Sequence, residues 1–135
     1  MKEVALVLQG VVPAKKNSRM VAHAGMRLVD LPNPLYTAWH RRNLALVLEQ
    51  RGGDRHPLRS PCRVEISVEY PDLHRRDLDN AVSSIFDLLV DAHVLRDDAW
   101  VCVPEVFAKA SLRRGEPARA VVRVVSLLEP ETEGV

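Results

Sequence analysis

The chain has 135 residues, 47% of them hydrophobic and 27% charged, with 19 Lys and Arg against 18 Asp and Glu. That length makes one domain the simplest reading, and one large enough to bury a core without disulfide or metal staples. No apolar run approaches the ~18 residues of a membrane span, and Cys62 and Cys102 lack the close partners a structural zinc site needs.

The near-neutral total hides an asymmetry. Residues 1–76 carry 13 Lys or Arg against 7 Asp or Glu, whereas residues 77–135 carry 6 against 11. A basic first half points to a polyanionic partner such as nucleic acid. The sign switches at Arg76–Asp77.

The start, "MKEVALVLQGVV", holds Glu3 inside its apolar run and has no A-x-A-like cleavage site. It reads as a strand rather than a signal peptide, and the protein is expected in the cytoplasm. Residues 3–12 are β-branched and apolar, the pattern of a buried strand. "PAKKNSR" (13–19) is a basic loop. "MVAHAGMRLVD" (20–30) reads as a hairpin turning near Ala24–Gly25. Asn33, Pro34 and Gly52 punctuate a helix, with Leu35, Ala38, Trp39, Ala45 and Leu46 on one face. Its second half is apolar nearly all round.

"CRVEISVEY" (62–70) alternates strictly and predicts a half-exposed strand. Residues 80–92 have helical period. Ala81, Val82, Ile85, Phe86, Leu89 and Ala92 share the apolar face, with Ser83, Ser84, Asp87 and Asp91 opposite. "WVCVPEVFAKA" and "ARAVVRVVSLL" predict two closing strands. Residues 129–135 form an acidic tail outside a domain of residues 1–128. The order β, hairpin, α, β, α, β, β predicts an α+β single domain, with a mixed, mostly antiparallel sheet packed against two main helices.

The chemistry concentrates in "HRRDLDNAVSSIFDLLVDAHVLRDDAW" (74–100). Asp77 and Asp79, two residues apart on a turn, can point at one spot, and Asp98 follows the helix. Hard cations such as Mg²⁺ take one or two carboxylates together with water and substrate phosphate. Arg75 and Arg76 stand directly before, and guanidinium groups match phosphate oxygens. A plainer reading remains open beside this one. Asp77 or Asp79 caps the helix, Asp97 and Asp98 form a turn, and the Arg–Asp pairs are surface ion pairs. The spacings of an EF-hand, a P-loop and a zincin are all absent.

"RRDLDN", the helix and "LRDDAWV" resemble the core motif of the RusA family of Holliday junction resolvases. "VPAKKNSR" after the first strand resembles that family's Pro-x-(Ser/Lys)-Lys-Asn-x-Arg segment. The resemblance spans roughly residues 4–128. It implies a small homodimeric Mg²⁺-dependent endonuclease, with Mn²⁺ as a substitute, that cuts four-way DNA junctions symmetrically. It assigns catalysis and metal binding to Asp77, Asp79 and Asp98, with Asp97 and Asn80 supporting the ligands. Lys15, Lys16, Arg19, Arg75 and Arg76 are expected to grip DNA. One position departs from the pattern. Where many relatives carry a lysine six residues after the first aspartate, this chain has Ser83. Lys15, Lys16 and Arg76 are the candidate replacements, and a junction-binding module that no longer cuts is the alternative.

The length of the helix sets a limit on how the three aspartates can meet. Thirteen helical residues carry the chain about 20 Å from Asp79, and the five steps from His93 to Asp98 return at most roughly 17 Å. A twofold dimer offers a composite site, with Asp98 of one subunit approaching Asp77 and Asp79 of the other.

Overall fold

The computed structural model describes the backbone of residues 2–22 and 27–128 and the side chains of residues 2–15 and 33–128. The chain runs β1 (Glu3–Gln9), β2 (Lys16–Ala22), β3 (Arg27–Pro32), α1 (Pro34–Gln50), β4 (Cys62–Tyr70), α2 (Leu78–Asp91), β5 (Glu105–Leu112) and β6 (Arg119–Ser126). The fold is α+β, in the element order expected. The expected turn near Ala24–Gly25 and the acidic tail lie outside the described residues. Among the described residues, no helix is long and apolar enough to cross a membrane.

Four strands form one sheet in the order β1-β6-β4-β5, and β2 and β3 form a separate antiparallel pair. β6 is antiparallel to both β1 and β4, whereas β5 is parallel to β4. A parallel pair needs a crossover, and α2 supplies it. β4 therefore starts beside the start of β5, with Arg63 opposite Glu105, and ends beside its end, with Tyr70 opposite Leu112.

Alternation along the central strands builds the core. Val64, Ile66 and Val68 of β4 and Ala120, Val122 and Val124 of β6 are buried with Ile85, Leu88 and Leu89 of α2. Each of these valine, isoleucine and leucine side chains contributes roughly 1.5–3 kcal/mol by leaving water. Three expectations change here. β1 stops at Gln9 and is half-exposed: Leu6 and Leu8 are buried, but Val7 remains 42% exposed. The buried stripe of α1 is Trp39, Asn43 and Val47, while Leu35 faces solvent. Ser84, expected on the polar face of α2, is fully buried, and its hydroxyl donates to the Pro13 carbonyl at 2.5 Å. That bond pins the loop after β1 onto α2.

The fifth strand begins later than its apolar stretch suggests. Trp100 and Val101 lie in a turn closed by Cys102 N–H and Val103 N–H donating to the Ala99 carbonyl. Cys102 returns its own carbonyl to Cys62 N–H at 2.7 Å. The chain before β5 is thereby tied to the start of β4.

Candidate functional site

Asp77 is the N-cap residue of α2, yet its side chain makes no capping hydrogen bond. The capping reading therefore does not account for it. Its carboxylate is exposed, 4.0 Å from Arg75 Nε. Asp79 is exposed in the first turn, where its Oδ1 accepts from Asn80 N–H at 2.9 Å. The helix dipole favours negative charge at this end.

The two arginines divide in environment. The Arg75 side chain is 93% exposed. Arg76 donates to Asp72 Oδ1 at 2.7 Å, and its guanidinium carbon lies 4.7 Å from the centre of the Tyr70 ring. That contact is a cation–π brace across the loop between β4 and α2. The hydrogen bond from Arg76, helped by the His74 backbone N–H, holds the Asp72 carboxyl below the usual carboxylate range. Burial pushes the Tyr70 phenol up, against the Arg76 charge.

A groove of about 550 Å³ runs beside Asp77 and Asn80, between the loop after β1 and helix α1. Arg42 and Arg76 lie on its walls. Trp39 also lines it, and among the described residues its buried Nε1–H has no acceptor. Gly10 ends β1 here at φ +88, a conformation that favours glycine. Arg42 was missed by sequence reasoning. It sits among nonpolar helical neighbours, and only the packing of α1 beside β1 brings it to the groove, where it donates to Gln9 Oε1.

Lys15 lies 3.6 Å from Asp87, on the α2 surface one turn beyond Ser83, which is exposed. Lys16 and Arg19 fall within β2, and their side chains lie outside the described residues.

Asp98 stands at the other end of the crossover. α2 is 14 residues long, about 21 Å. It ends in a Schellman-type turn, with Val94 N–H donating to the Leu89 carbonyl and His93 at φ 57. Leu58 N–H then holds the Val94 carbonyl. Asp97 and Asp98 are exposed, and Asp97 Oδ1 accepts from Asp98 N–H at 2.8 Å. Asp77 and Asp79 therefore lie past the end of β4, and Asp98 lies near its start. The nine residues between those ends span about 26 Å. The single chain does not gather the three aspartates.

Among the described residues, the one group of three potential metal ligands with atoms all within 4.8 Å is instead His40, Asp87 and Asp91. Sequence reasoning missed it, although the i, i+4 spacing of Asp87 and Asp91 on α2 was part of its signal. These groups already have protein partners. His40 Nε2 lies 2.8 Å from Asp91, and the Tyr36 hydroxyl donates to Asp87 at 2.6 Å. Burial, then the hydrogen bond to Asp87, then the charges of Asp87 and Asp91 push the Tyr36 phenol well up. The cluster ties α1 to α2.

Exposed carboxylates beside a groove with two arginines on its walls offer groups that could meet a polyanion, and comparison with known proteins gives the class as a nuclease. The family described as Endodeoxyribonuclease RusA matches residues 10–125. The Crossover junction endodeoxyribonuclease RusA of Aquifex aeolicus (strain VF5) is 29% identical over 116 residues, covering 86% of each chain. The chain belongs to the RusA family of endodeoxyribonucleases.

Proposed function

We propose that this protein is a divalent-metal-dependent endodeoxyribonuclease that resolves four-way DNA junctions by paired incisions. It acts in cytoplasmic DNA recombination and repair as a homodimer with two composite sites. In each site Asp77 and Asp79 come from one subunit and Asp98 from the other. The observation that carries this reading is Asp77: a helix N-cap aspartate whose carboxylate the helix does not use, beside a second exposed carboxylate and a groove with Arg42 and Arg76 on its walls.

The donor set fits Mg²⁺, with Mn²⁺ as a substitute, because it consists of exposed carboxylate oxygens, the ligands hard cations take. Asp77, Asp79 and Asp98, all exposed, would hold the ion. When bound, such an ion polarises a phosphoryl oxygen and lowers the pKa of a water. The protein's own groups position the strand. Arg75 reaches outward to phosphate, with Arg42, Lys15, Lys16 and Arg19 extending the basic track. Arg76 grips less and orients more, because Asp72 and Tyr70 already hold it. Asn80 and Asp97 orient the carboxylates beside them. Contacts of this kind fix register rather than read bases, and they weaken as salt rises.

Mixing D79N and D98N chains tests the composite site. Each variant alone should bind a synthetic four-way junction and fail to cut it. The mixture should regain nicking, because each heterodimer holds one site with all three aspartates. Binding without any regained cleavage would sink the composite site. Wild-type protein that binds the junction but never cuts it with Mg²⁺ or Mn²⁺ would favour the non-cleaving module, for which Ser83 in place of lysine is the supporting feature.

A further inference from the structure

We propose that the junction between α1 and α2 is a binding site for a transition-metal ion of the Zn²⁺ type, held by His40, Asp87 and Asp91. The site is separate from the aspartates proposed for catalysis and does not depend on that reading.

The helices place the ligands. Tyr36 and His40 lie one turn apart on α1, and Asp87 and Asp91 lie one turn apart on α2. The pairs meet as two rungs. The Tyr36 hydroxyl donates to Asp87 Oδ2, and His40 Nε2 lies 2.8 Å from Asp91 Oδ2. One imidazole nitrogen and two carboxylate oxygens thereby stand within 4.8 Å of one another. A tetrahedral Zn²⁺, with its ligands at about 2.0–2.2 Å, sets the donor atoms about 3.3 Å apart. His40 and Asp91 need to part by roughly 0.5 Å, and Asp87 needs to close by roughly 1.5 Å at most. The Asp87 side chain is 41% exposed, which leaves it room to rotate.

The donor set selects the ion. Carboxylates alone suit Mg²⁺ or Ca²⁺, whereas an imidazole among them suits Zn²⁺ and its neighbours in the series. Three protein ligands leave a fourth position for water. A cleft of about 390 Å³ opens beside the ligands, with Thr37 on its wall. To take the ion, Nε2 gives up any proton it shares with Asp91, and that proton goes to water.

Charge at the seam is unbalanced without an ion. Two carboxylates face one imidazole, and Lys15 approaches Asp87 Oδ1 only to 3.6 Å, beyond hydrogen-bond distance. Arg41 lines the same cleft. A carboxylate has about four acceptor positions, so Lys15 and Tyr36 can stay in place while the ion binds. A metal-ligating group is ordinarily oriented by a further hydrogen bond, and the Tyr36 hydroxyl supplies one to Asp87. The Tyr36 ring also lies 5.5 Å, centre to centre, from the His40 ring and limits its rotation. An ion here would clamp α1 to α2, the helix that opens with Asp77 and Asp79.

The test uses the full chain with Asp77, Asp79 and Asp98 all changed to Asn and its metal removed by a chelator. No ion can then be credited to those three carboxylates. Co²⁺, a coloured stand-in for Zn²⁺, should bind with one equivalent per chain, shift the His40 ring signals in NMR spectra, and be displaced by Zn²⁺. In that background His40→Ala and Asp91→Asn should each weaken Zn²⁺ binding more than about 100-fold, with circular dichroism unchanged. Tyr36→Phe, which removes only the group that orients Asp87, should weaken it about 10-fold. The thermal midpoint should rise with Zn²⁺ concentration, because the ion binds the folded helix pair, and Asp91→Asn should remove that rise. Asp91→Asn leaves His40 a hydrogen-bond partner and decides the matter where His40→Ala fails to fold. A parent protein that takes up neither Co²⁺ nor Zn²⁺ overturns the site. Binding that survives Asp91→Asn unchanged belongs to other side chains and overturns it equally. Junction cleavage is not read in this experiment, so its outcome and that of the nuclease proposal stand or fall separately.

Discussion

The two edges of the sheet are treated in opposite ways. Along β1, side-chain amides of α1 take the place of a neighbouring strand. Val7 N–H donates to Gln50 Oε1, and Gln50 Nε2 donates to the Val7 carbonyl, both at 2.8 Å. One rung further on, Gln9 N–H donates to Asn43 Oδ1 at 2.8 Å, and Asn43 Nδ2 donates to the Gln9 carbonyl at 3.1 Å. A primary amide offers one acceptor and two donors, so it can copy the peptide it faces. β5 has no such cover. A free edge invites pairing, and a protein usually blocks it. Blocking one edge and leaving the other open directs association to a single place.

The comparison breaks most sharply at Asn43. This side chain is fully buried and also donates to the Trp39 carbonyl. Asn43→Ala strands the Gln9 N–H and carbonyl, at a cost of about 2–4 kcal/mol, and urea unfolding should show the midpoint falling accordingly. Gln50 makes the same kind of bonds at the exposed end of the helix, where water can replace them. Gln50→Ala should therefore cost only about 0.5–1 kcal/mol. An Asn43→Ala protein no less stable than Gln50→Ala would mean that the amides do not seal the edge.

Much of this layout is legible in the sequence, and the reasons for the gaps are physical. The strict alternation of residues 62–70 matches β4, whose core-facing side chains are buried. α2 follows its 3.6-residue period except at Ser84, where a buried hydroxyl meets a carbonyl from a loop 71 residues away. No local pattern encodes such a bond. Asn43 and Gln50 read as ordinary polar positions, because their partners lie on β1, far off in sequence. β5 reads as a strand from its composition, but its exposure depends on how far the helices extend over the sheet. At the candidate site, the spacing of Asp77 and Asp79 is local and visible in the sequence. Asp98 is visible too, but the β4–α2–β5 crossover carries it to the opposite end of β4.

The outer face of the sheet sharpens the comparison by its charges. Arg123 on β6 pairs with Glu3 on β1 and reaches Glu65 on β4 at 3.2 Å. Toward β5 the contact loosens, with Arg63 3.9 Å from Glu105. Within the tight half, Arg119 Nε donates to Glu69 at 2.7 Å, and Arg113 lies 3.3 Å from the same carboxylate. The Arg119 hydrogen bond leads in holding the Glu69 carboxyl below its ordinary value, and the charges of Arg119, Arg113 and Lys109 add to it. A carboxylate depressed on folding stabilises the fold above its unfolded pKa, about 4.3, and this contribution is lost as pH falls through the folded value. Arg119→Ala should therefore raise the Glu69 pKa in a carbon-detected NMR titration, with Arg113 keeping it from a full return. The stability difference from wild type should be small, present at neutral pH, and gone in acid. The corresponding substitution near the open edge, Arg63→Ala, should leave Glu69 unmoved. Equal shifts from both substitutions would mean that the ladder couples evenly across the sheet, with no contrast between its halves.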